Sequence, residues 1–303
     1  MEASVNLWGI DLGGTKLEGA VLENRANPRI IARMRIPTEV DKGYDHIIGQ
    51  VVKLVDMMAT ETGTRPAALG LGHPGAIDPN TGVIKNANTT ALIGKPFNKD
   101  LSARLGIPVK LANDANCFAM AEAHMGAVPE VLPNAEVVFG VIMGTGVGGG
   151  LVVHGKVING RQGIGGEWGH NFLDVDGGSC YCGRSGCVET LISGPALERY
   201  YAKVSGTVLP LHDICSRAEA GTDSVAVQTI NRLLHFFGKA MAVVINIVDP
   251  DVIVLGGGLG HIDRLYTHGV DEVRKYVFND RLDTLFVKPK LGDSAGVYGA
   301  ALL

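Results

Sequence analysis

The sequence has little excess charge of either sign. Its 303 residues carry 27 Lys and Arg against 31 Asp and Glu, a formal net charge of −4. That balance offers no basic footprint for nucleic acid and no polybasic stretch for a membrane surface. No apolar run approaches the ~20 residues of a spanning helix, so no membrane partner is expected. A secretory leader is missing as well, because Met1–Trp8 passes almost directly into a strand pattern. A cytoplasmic location is the expectation, and disulfides are rare there. No Pro- or Ser-rich linker divides the chain, although its length suffices for two domains of ordinary size. With 46% hydrophobic and 19% charged residues, a sizeable core is expected. What the sequence has in quantity is glycine: 42 residues, far above the usual ~7%, mostly at turn positions between apolar runs.

Two of those turns stand out. Trp8 to Lys16 reads W-G-I-D-L-G-G-T-K, and Val138 to Gly150 reads V-F-G-V-I-M-G-T-G-V-G-G-G. Each is an apolar strand entering a Gly/Thr turn and leaving as a second strand. Such turns leave backbone N–H groups able to hold phosphate, since glycine lets a ligand approach without a Cβ in the way. Asp11 and Lys16 add a carboxylate and an ammonium suited to a metal–nucleotide complex. A third run, Gly256-Gly257-Gly258, follows the short buried strand Asp251–Leu255. Together they point to a phosphotransferase with a duplicated fold. Gly144-x-Gly146-x-x-Gly149 also fits the dinucleotide fingerprint, but that fingerprint needs a helix to begin among the glycines. The following L-V-V-H-G-K-V-I reads as a strand, so a dehydrogenase is disfavoured.

The first third reads as antiparallel strands Val5–Asp11, Leu17–Leu22 and Ile30–Ile36, then a helix over Tyr44–Thr62 with a broad apolar face. Strands follow at Ala67–Gly72 and Val109–Ala112, and Asp114 can cap a helix running to about Met125. The pattern restarts with strands Glu136–Met143 and Leu151–Val153, and Ser224–Val248 reads as one long helix. The predicted domains are residues 1–120, completed by a C-terminal helix at 295–303, and residues 121–294.

His170, Cys180, Cys182 and Cys187 form H-x9-C-x-C-x4-C in a Gly-rich loop, a complete tetrahedral set for a structural zinc. The predicted zinc-binding loop is 170–187. Glu167 and His170, three apart, would share a face on one helical turn, and a zinc-bound imidazole can offer its other nitrogen to a hydrogen-bonding ligand. Cys117 and Cys215 read as buried hydrophobes.

D-L-G-G-T-K at 11–16, L-A-N-D-A-N at 111–116, G-E-W-G-H at 166–170 and C-Y-C-G-R-S-G-C-V-E-T at 180–190 resemble the ROK (repressor, open reading frame, kinase) family of sugar kinases, and the likeness runs essentially end to end. K-N-A-N-T-T at 85–90 and G-K-P-F-N-K-D-L-S-A-R-L at 94–105 are most similar to bacterial fructokinases that also act on mannose, with glucokinases and N-acetylglucosamine kinases the alternative. The resemblance implies an actin-like ATPase (ribonuclease H-like) fold of two α/β domains around a cleft. It implies ATP and Mg2+ as partners in phosphoryl transfer to the 6-hydroxyl of a hexose, a structural zinc, and a homodimer. Asp114 matches the catalytic base. Asn88, Asn113, Glu167, His170 and Glu189 match sugar contacts. Gly13, Gly14, Thr15 and Lys16 fall in the first phosphate turn, Gly144, Thr145 and Gly146 in the second, and Gly256, Gly257 and Gly258 near the adenosine, with Asp11 reaching Mg2+ through water. A sugar-responsive regulator without catalysis is the alternative of another class. The DNA-binding repressors of the family carry a helix-turn-helix ahead of the phosphate turn, where only ten residues precede Asp11 here.

Overall fold

The computed structural model describes residues 6–303; the expected strand start at Val5 lies outside the described residues. The chain divides into two compact units. One comprises the chain up to Val131 with Gly150–Gly165 and Lys290–Leu303, the other Leu132–Gly149 and Gly166–Pro289.

The first unit contains strands β1 (Leu7–Leu12), β2 (Lys16–Leu22), β3 (Ile30–Pro37), β4 (Leu69–His73) and β7 (Val109–Asn113), with β5 (Ala76–Ile77) and β6 (Ile84–Lys85) as a small separate pair. The sheet order is β3-β2-β1-β4-β7. The β1–β2 and β2–β3 pairs are antiparallel, β1–β4 and β4–β7 parallel. Helices α1 (Tyr44–Thr62), α2 (Phe97–Leu105), α3 (Asp114–Met125) and α4 (Val128–Val131) complete this stretch.

The second sheet has the same pattern. Strands β8 (Val137–Met143), β9 (Val147–Val153), β10 (Lys156–Val157), β11 (Val252–Gly256) and β12 (Leu285–Val287) lie in the order β10-β9-β8-β11-β12. The β8–β11 and β11–β12 pairs are parallel, and β9–β10 is antiparallel. Helices α5 (Glu189–Ile192), α6 (Gly194–Ser205), α7 (Leu211–Ala220), α8 (Ser224–Val248) and α9 (His268–Arg274) belong to the second unit, and α10 (Ala295–Ala301) to the first. Two sheets with one strand order are the duplicated actin-like ATPase fold.

The two faces of the first sheet are built differently. On one, Trp8, Ile10, Leu12, Leu17 and Val21 pack in a core with Ile47, Val51, Leu54, Val55 and Met58 of α1, whose spacing makes one helical stripe. The other face carries glycines. A Cβ on Gly70 would lie 1.8 Å from the Ala300 carbonyl oxygen, and one on Gly9 would lie 2.4 Å from the Ala301 nitrogen. Bare backbone here lets α10 rest directly on the strands, with Ala112, Cys117 and Ala300 filling the thin layer. Cys117 is buried there, while Cys215 is only half-buried.

In the second unit, Asp223 caps α8 by accepting from the Val225 and Ala226 amides at 2.9 and 3.1 Å. By length and composition α8 could cross a membrane, but its most apolar window is 61% buried inside the protein, the position of a core helix. Strand β9 begins at Val147 rather than Leu151, because Gly148, Gly149 and Gly150 continue the ladder. Gly149 does so where a Cβ would meet the Trp168 indole at 2.5 Å.

Candidate active site

The turn after β1 is closed by the Gly13 amide, which donates to the Lys16 carbonyl at 3.0 Å. That bond leaves the Gly13 amide unavailable to any ligand. The Gly14 and Thr15 amides remain available, having no backbone partner among the described residues. Thr38, at the end of β3 and fully buried, braces the turn from outside: its hydroxyl donates to the Gly13 carbonyl at 2.7 Å and its amide to the Thr15 carbonyl at 3.1 Å. Gly14, Thr15 and Lys16 are exposed.

Asp11, one residue before the end of β1, points to the glycine-bearing face. Its carboxylate is flanked by two missing side chains. A Cβ on Gly72 would lie 3.3 Å from Oδ1, and one on Gly296 would lie 2.8 Å from Oδ2. Burial, then the charges of Asp114 and Glu18, push its pKa up to about 7, with Lys16 pulling the other way. Glu18 stands directly across the β1–β2 ladder from Asp11. It is itself buried and held by Arg33 at 2.6 Å, Arg35 at 2.9 Å and the Ser294 hydroxyl at 2.8 Å.

Strand β7 delivers Asn113 and Asp114 at its junction with α3. The cap of α3 is Asn113, not Asp114: Asn113 Oδ1 accepts from the Ala115 amide at 2.8 Å while its Nδ2 donates to the Gly75 carbonyl at 3.0 Å. Asp114 is the first helical residue, and its Oδ1 shares the Ala115 amide at 2.8 Å. The side chain reaches solvent yet is crowded by protein. That desolvation raises its pKa, against the amides of Ala115 and Asp114 and the Asn113 side chain, which lower it. Asn88 lies exposed in the loop after β6, and no hydrogen bond ties its side chain to these residues.

The second unit assembles its own set. In the turn after β8 the Gly144 amide donates to the Gly146 carbonyl at 2.9 Å, and the Gly144 carbonyl accepts from the Gly194 amide at 2.8 Å, which seats the start of α6 on the turn. Glu189 Oε2 accepts from the Val147 amide at 3.0 Å, so one oxygen of this expected sugar contact is engaged by the turn. The third glycine run adjoins the second. Gly257 has φ 75°, and a Cβ there would lie 2.3 Å from the Met143 carbonyl oxygen. Gly258 also lines an apolar cavity of about 480 Å³ with Leu211, Cys215, Ile230 and Ile262.

G-E-W-G-H forms one short turn, Trp168–His170. Trp168 anchors it: the buried indole donates to the Gly148 carbonyl at 2.9 Å and meets Phe139 edge-on. A Cβ on Gly169 would lie 2.0 Å from the Val147 carbonyl oxygen, so the turn lies flat on β9 with Glu167 and His170 half-buried beside it.

His170, Cys180, Cys182 and Cys187 converge, all four ligand atoms lying within 4.8 Å of one another. His170 Nδ1 is 3.6 Å from Cys180 Sγ, and Cys182 Sγ is 3.6 Å from Cys187 Sγ. Tetrahedral zinc with Zn–S near ~2.3 Å sets two sulfurs about 3.8 Å apart, so the donor set fits that ion. Burial, then the neighbouring thiols, push the Cys187 thiol up to about 12. The loop is tied to α8 by Asp174–Lys239 at 3.2 Å and Asp176–Arg232 at 3.4 Å.

Two residues beside these sites went unread in the sequence. Thr38 follows a strand with no motif to mark it. Tyr181 sits between two cysteine ligands; its hydroxyl is 3.0 Å from His170 Nε2, and its pKa is pushed up to about 12 by partial desolvation of that hydroxyl and by the Glu189 and Glu167 carboxylates, although the residue as a whole is exposed.

The chain is similar to known proteins along its whole length. An N-acetyl-D-glucosamine kinase of Vibrio parahaemolyticus is 35% identical over 306 residues, 98% of each chain. The ROK hexokinase of Thermus thermophilus superposes with a TM-score of 0.88 at 32% identity, over 98% of this chain and 97% of that one. A ROK family glucokinase from Streptomyces griseus, solved with glucose and AMPPNP, gives 0.75 at 27% identity over 98% of both chains. The model of the ROK family matches residues 7–303. With the strand order, the glycine turns and the His/Cys cluster accounted for, the chain belongs to the ROK family, as one of its sugar kinases.

Proposed function

We propose that this protein transfers the γ-phosphoryl group of ATP to the 6-hydroxyl of a hexose, and that the hexose is N-acetyl-D-glucosamine. The observation that carries the reaction is Asp114, a carboxylate with a raised pKa at a strand–helix junction, close enough to Asp11 to perturb it. In phosphoryl transfer the protein chiefly positions the reactants and neutralises charge. Asp114 takes the proton of the attacking hydroxyl, and its raised pKa makes it a stronger base than an ordinary carboxylate. The Gly14 and Thr15 amides, with those of Thr145 and Gly146, receive phosphate oxygens. The cavity at Gly258 and Leu211 takes the nucleoside. Asp11 would hold a divalent cation, which would neutralise phosphate charge when bound. Glu167, His170 and Glu189 hold sugar hydroxyls.

Zinc on His170, Cys180, Cys182 and Cys187 would be structural, since four protein ligands leave no open position. Bound through Nδ1, His170 keeps a proton on Nε2 for hydrogen bonding.

The substrate differs from the fructose expected from Lys85–Thr90 and Gly94–Leu105. Much of that stretch serves packing and turn geometry. Phe97 and Leu101 are buried in the core, Asn86 takes a left-handed φ of 56°, and Ala87 fills the space beside Gly75. Its likeness to fructokinases therefore carries little about the sugar, whereas a relative 35% identical along 98% of the chain is an N-acetyl-D-glucosamine kinase. The test is ATP-dependent phosphorylation of N-acetylglucosamine, glucose, mannose and fructose. The expected result is the highest kcat/KM on N-acetylglucosamine, and a loss of about 10²–10⁴ in kcat for Asp114→Asn. A preference for fructose would overturn the substrate. Undiminished turnover by the variant would overturn the base.

A further inference from the structure

The unit containing the zinc-type cluster holds a side chain that the proposed reaction does not use. With His170 Nδ1 turned to Cys180 Sγ at 3.6 Å, the ring's only outward nitrogen is Nε2, and the Tyr181 hydroxyl lies 3.0 Å from it. The two rings meet edge-on at 5.1 Å and 89°. Nothing clamps the tyrosine in that pose. Its side chain is 79% exposed, and His170 is its one hydrogen-bond partner among the described residues. It lines a cavity of about 400 Å³ together with Glu189, Thr145, Ser193 and Arg199.

We propose that Tyr181 is a substrate-displaced residue, its phenol oxygen occupying on His170 Nε2 the place a sugar hydroxyl takes on binding. The inference rests on the sugar-kinase reading above. A phenol oxygen and a sugar hydroxyl oxygen are equivalent acceptors for an Nε2–H donor, so exchanging one for the other leaves the hydrogen-bond count unchanged. High exposure means that little packing is lost when the ring swings out. The orientation of His170 is set from its other nitrogen and survives the exchange. Tyr181 thus keeps the imidazole donor paired in the free enzyme and competes with the sugar for it.

The test is Tyr181→Phe, which keeps the ring and deletes the competing oxygen, with Tyr181→Leu as a second variant lacking that oxygen. Both are read as KM for the sugar against kcat, and as calorimetric sugar affinity without nucleotide. The expected result is a sugar KM and dissociation constant lowered about two- to tenfold, with kcat and the nucleotide KM moving far less and zinc content equal to wild type. An unchanged sugar KM, or one that rises, would overturn the proposal. A wild-type protein inert towards every sugar would overturn the kinase reading and this one with it. An active wild type whose variants match it in KM overturns this proposal alone.

Discussion

Asp11 is held where its ionised form is least stable. Its carboxylate lies between Gly72 and Gly296, near Asp114 and opposite Glu18, and its pKa is about 7 against ~3.9 in an unfolded chain. Between those values the folded protein binds a proton that the unfolded chain has released. Stability of the ligand-free protein therefore falls as pH rises through this window and levels off above about 7. With solvent screening discounted, the loss is on the order of 2–4 kcal/mol. Asp11→Asn removes the titration. Its melting temperature without cation or nucleotide should match wild type near pH 4, where both states hold the proton, and exceed it by several degrees at pH 8, while kcat falls by about 10²–10³. A variant no more stable than wild type at pH 8 would show that Asp11 carries no such strain. This is the stability–activity trade expected if Asp11 holds the divalent cation as proposed.

At the scale of elements, glycines divide into those that admit a helix and those that admit a ligand. Gly70 lies under α10, where a Cβ would meet the Ala300 carbonyl oxygen at 1.8 Å, whereas a Cβ on Gly14 would meet no atom within 4 Å. Gly70→Ala should lower stability by about 3 kcal/mol or more, because the obstacle is backbone and cannot rotate away. Gly14→Ala should keep the wild-type urea midpoint and raise the nucleotide KM. Equal midpoints for the two variants would mean that α10 is not held so tightly. The contrast also marks what a sequence discloses. The glycine turns after apolar strands stood out in the sequence, whereas Asp114 on its own residues read as a helix cap and its proposed role came from the likeness to the family. The long helices Tyr44–Thr62 and Ser224–Val248 were legible from their periodicity, and match residue for residue. The glycines of β1, β4 and β9 were not, since their reason is a neighbour distant in sequence. Asp114, not Asn113, was read as the helix cap for a similar cause: Asn and Asp are nearly equal as caps, and only the structure shows Asn113 Oδ1 accepting from the Ala115 amide while its Nδ2 holds the Gly75 carbonyl. Tyr181 could not be read, because its partner His170 lies eleven residues away across a loop with no periodicity.

Over the whole molecule, the candidate residues gather at the carboxyl ends of strands. The turns after β1, β8 and β11 and the Asn113–Asp114 junction after β7 all lie there, the end at which open α/β sheets receive ligands. The His/Cys cluster departs from that rule. It sits on a loop excursion whose shape comes from loop hydrogen bonds, such as Cys180 to Arg184 at 2.7 Å and Gly186 to Gly178 at 2.8 Å, and from the ties to α8. The second unit has its own core, including Leu233, Phe237 and Met241 of α8 and Val252–Leu255 of β11, all buried. If zinc occupies the cluster as proposed, its loss should loosen the loop without unfolding the unit, unlike a small zinc domain whose folding depends on its metal. On the proposed function His170 and Glu189 hold the sugar, so the damage should fall there. Chelation, or Cys182→Ser, is expected to raise the sugar KM about 10- to 100-fold, leaving far-UV circular dichroism and nucleotide affinity near wild type, with zinc falling from one per chain towards none. Retained sugar affinity in metal-free protein would reduce the cluster to a local staple. Collapse of the whole circular dichroism spectrum would instead make zinc a determinant of the fold.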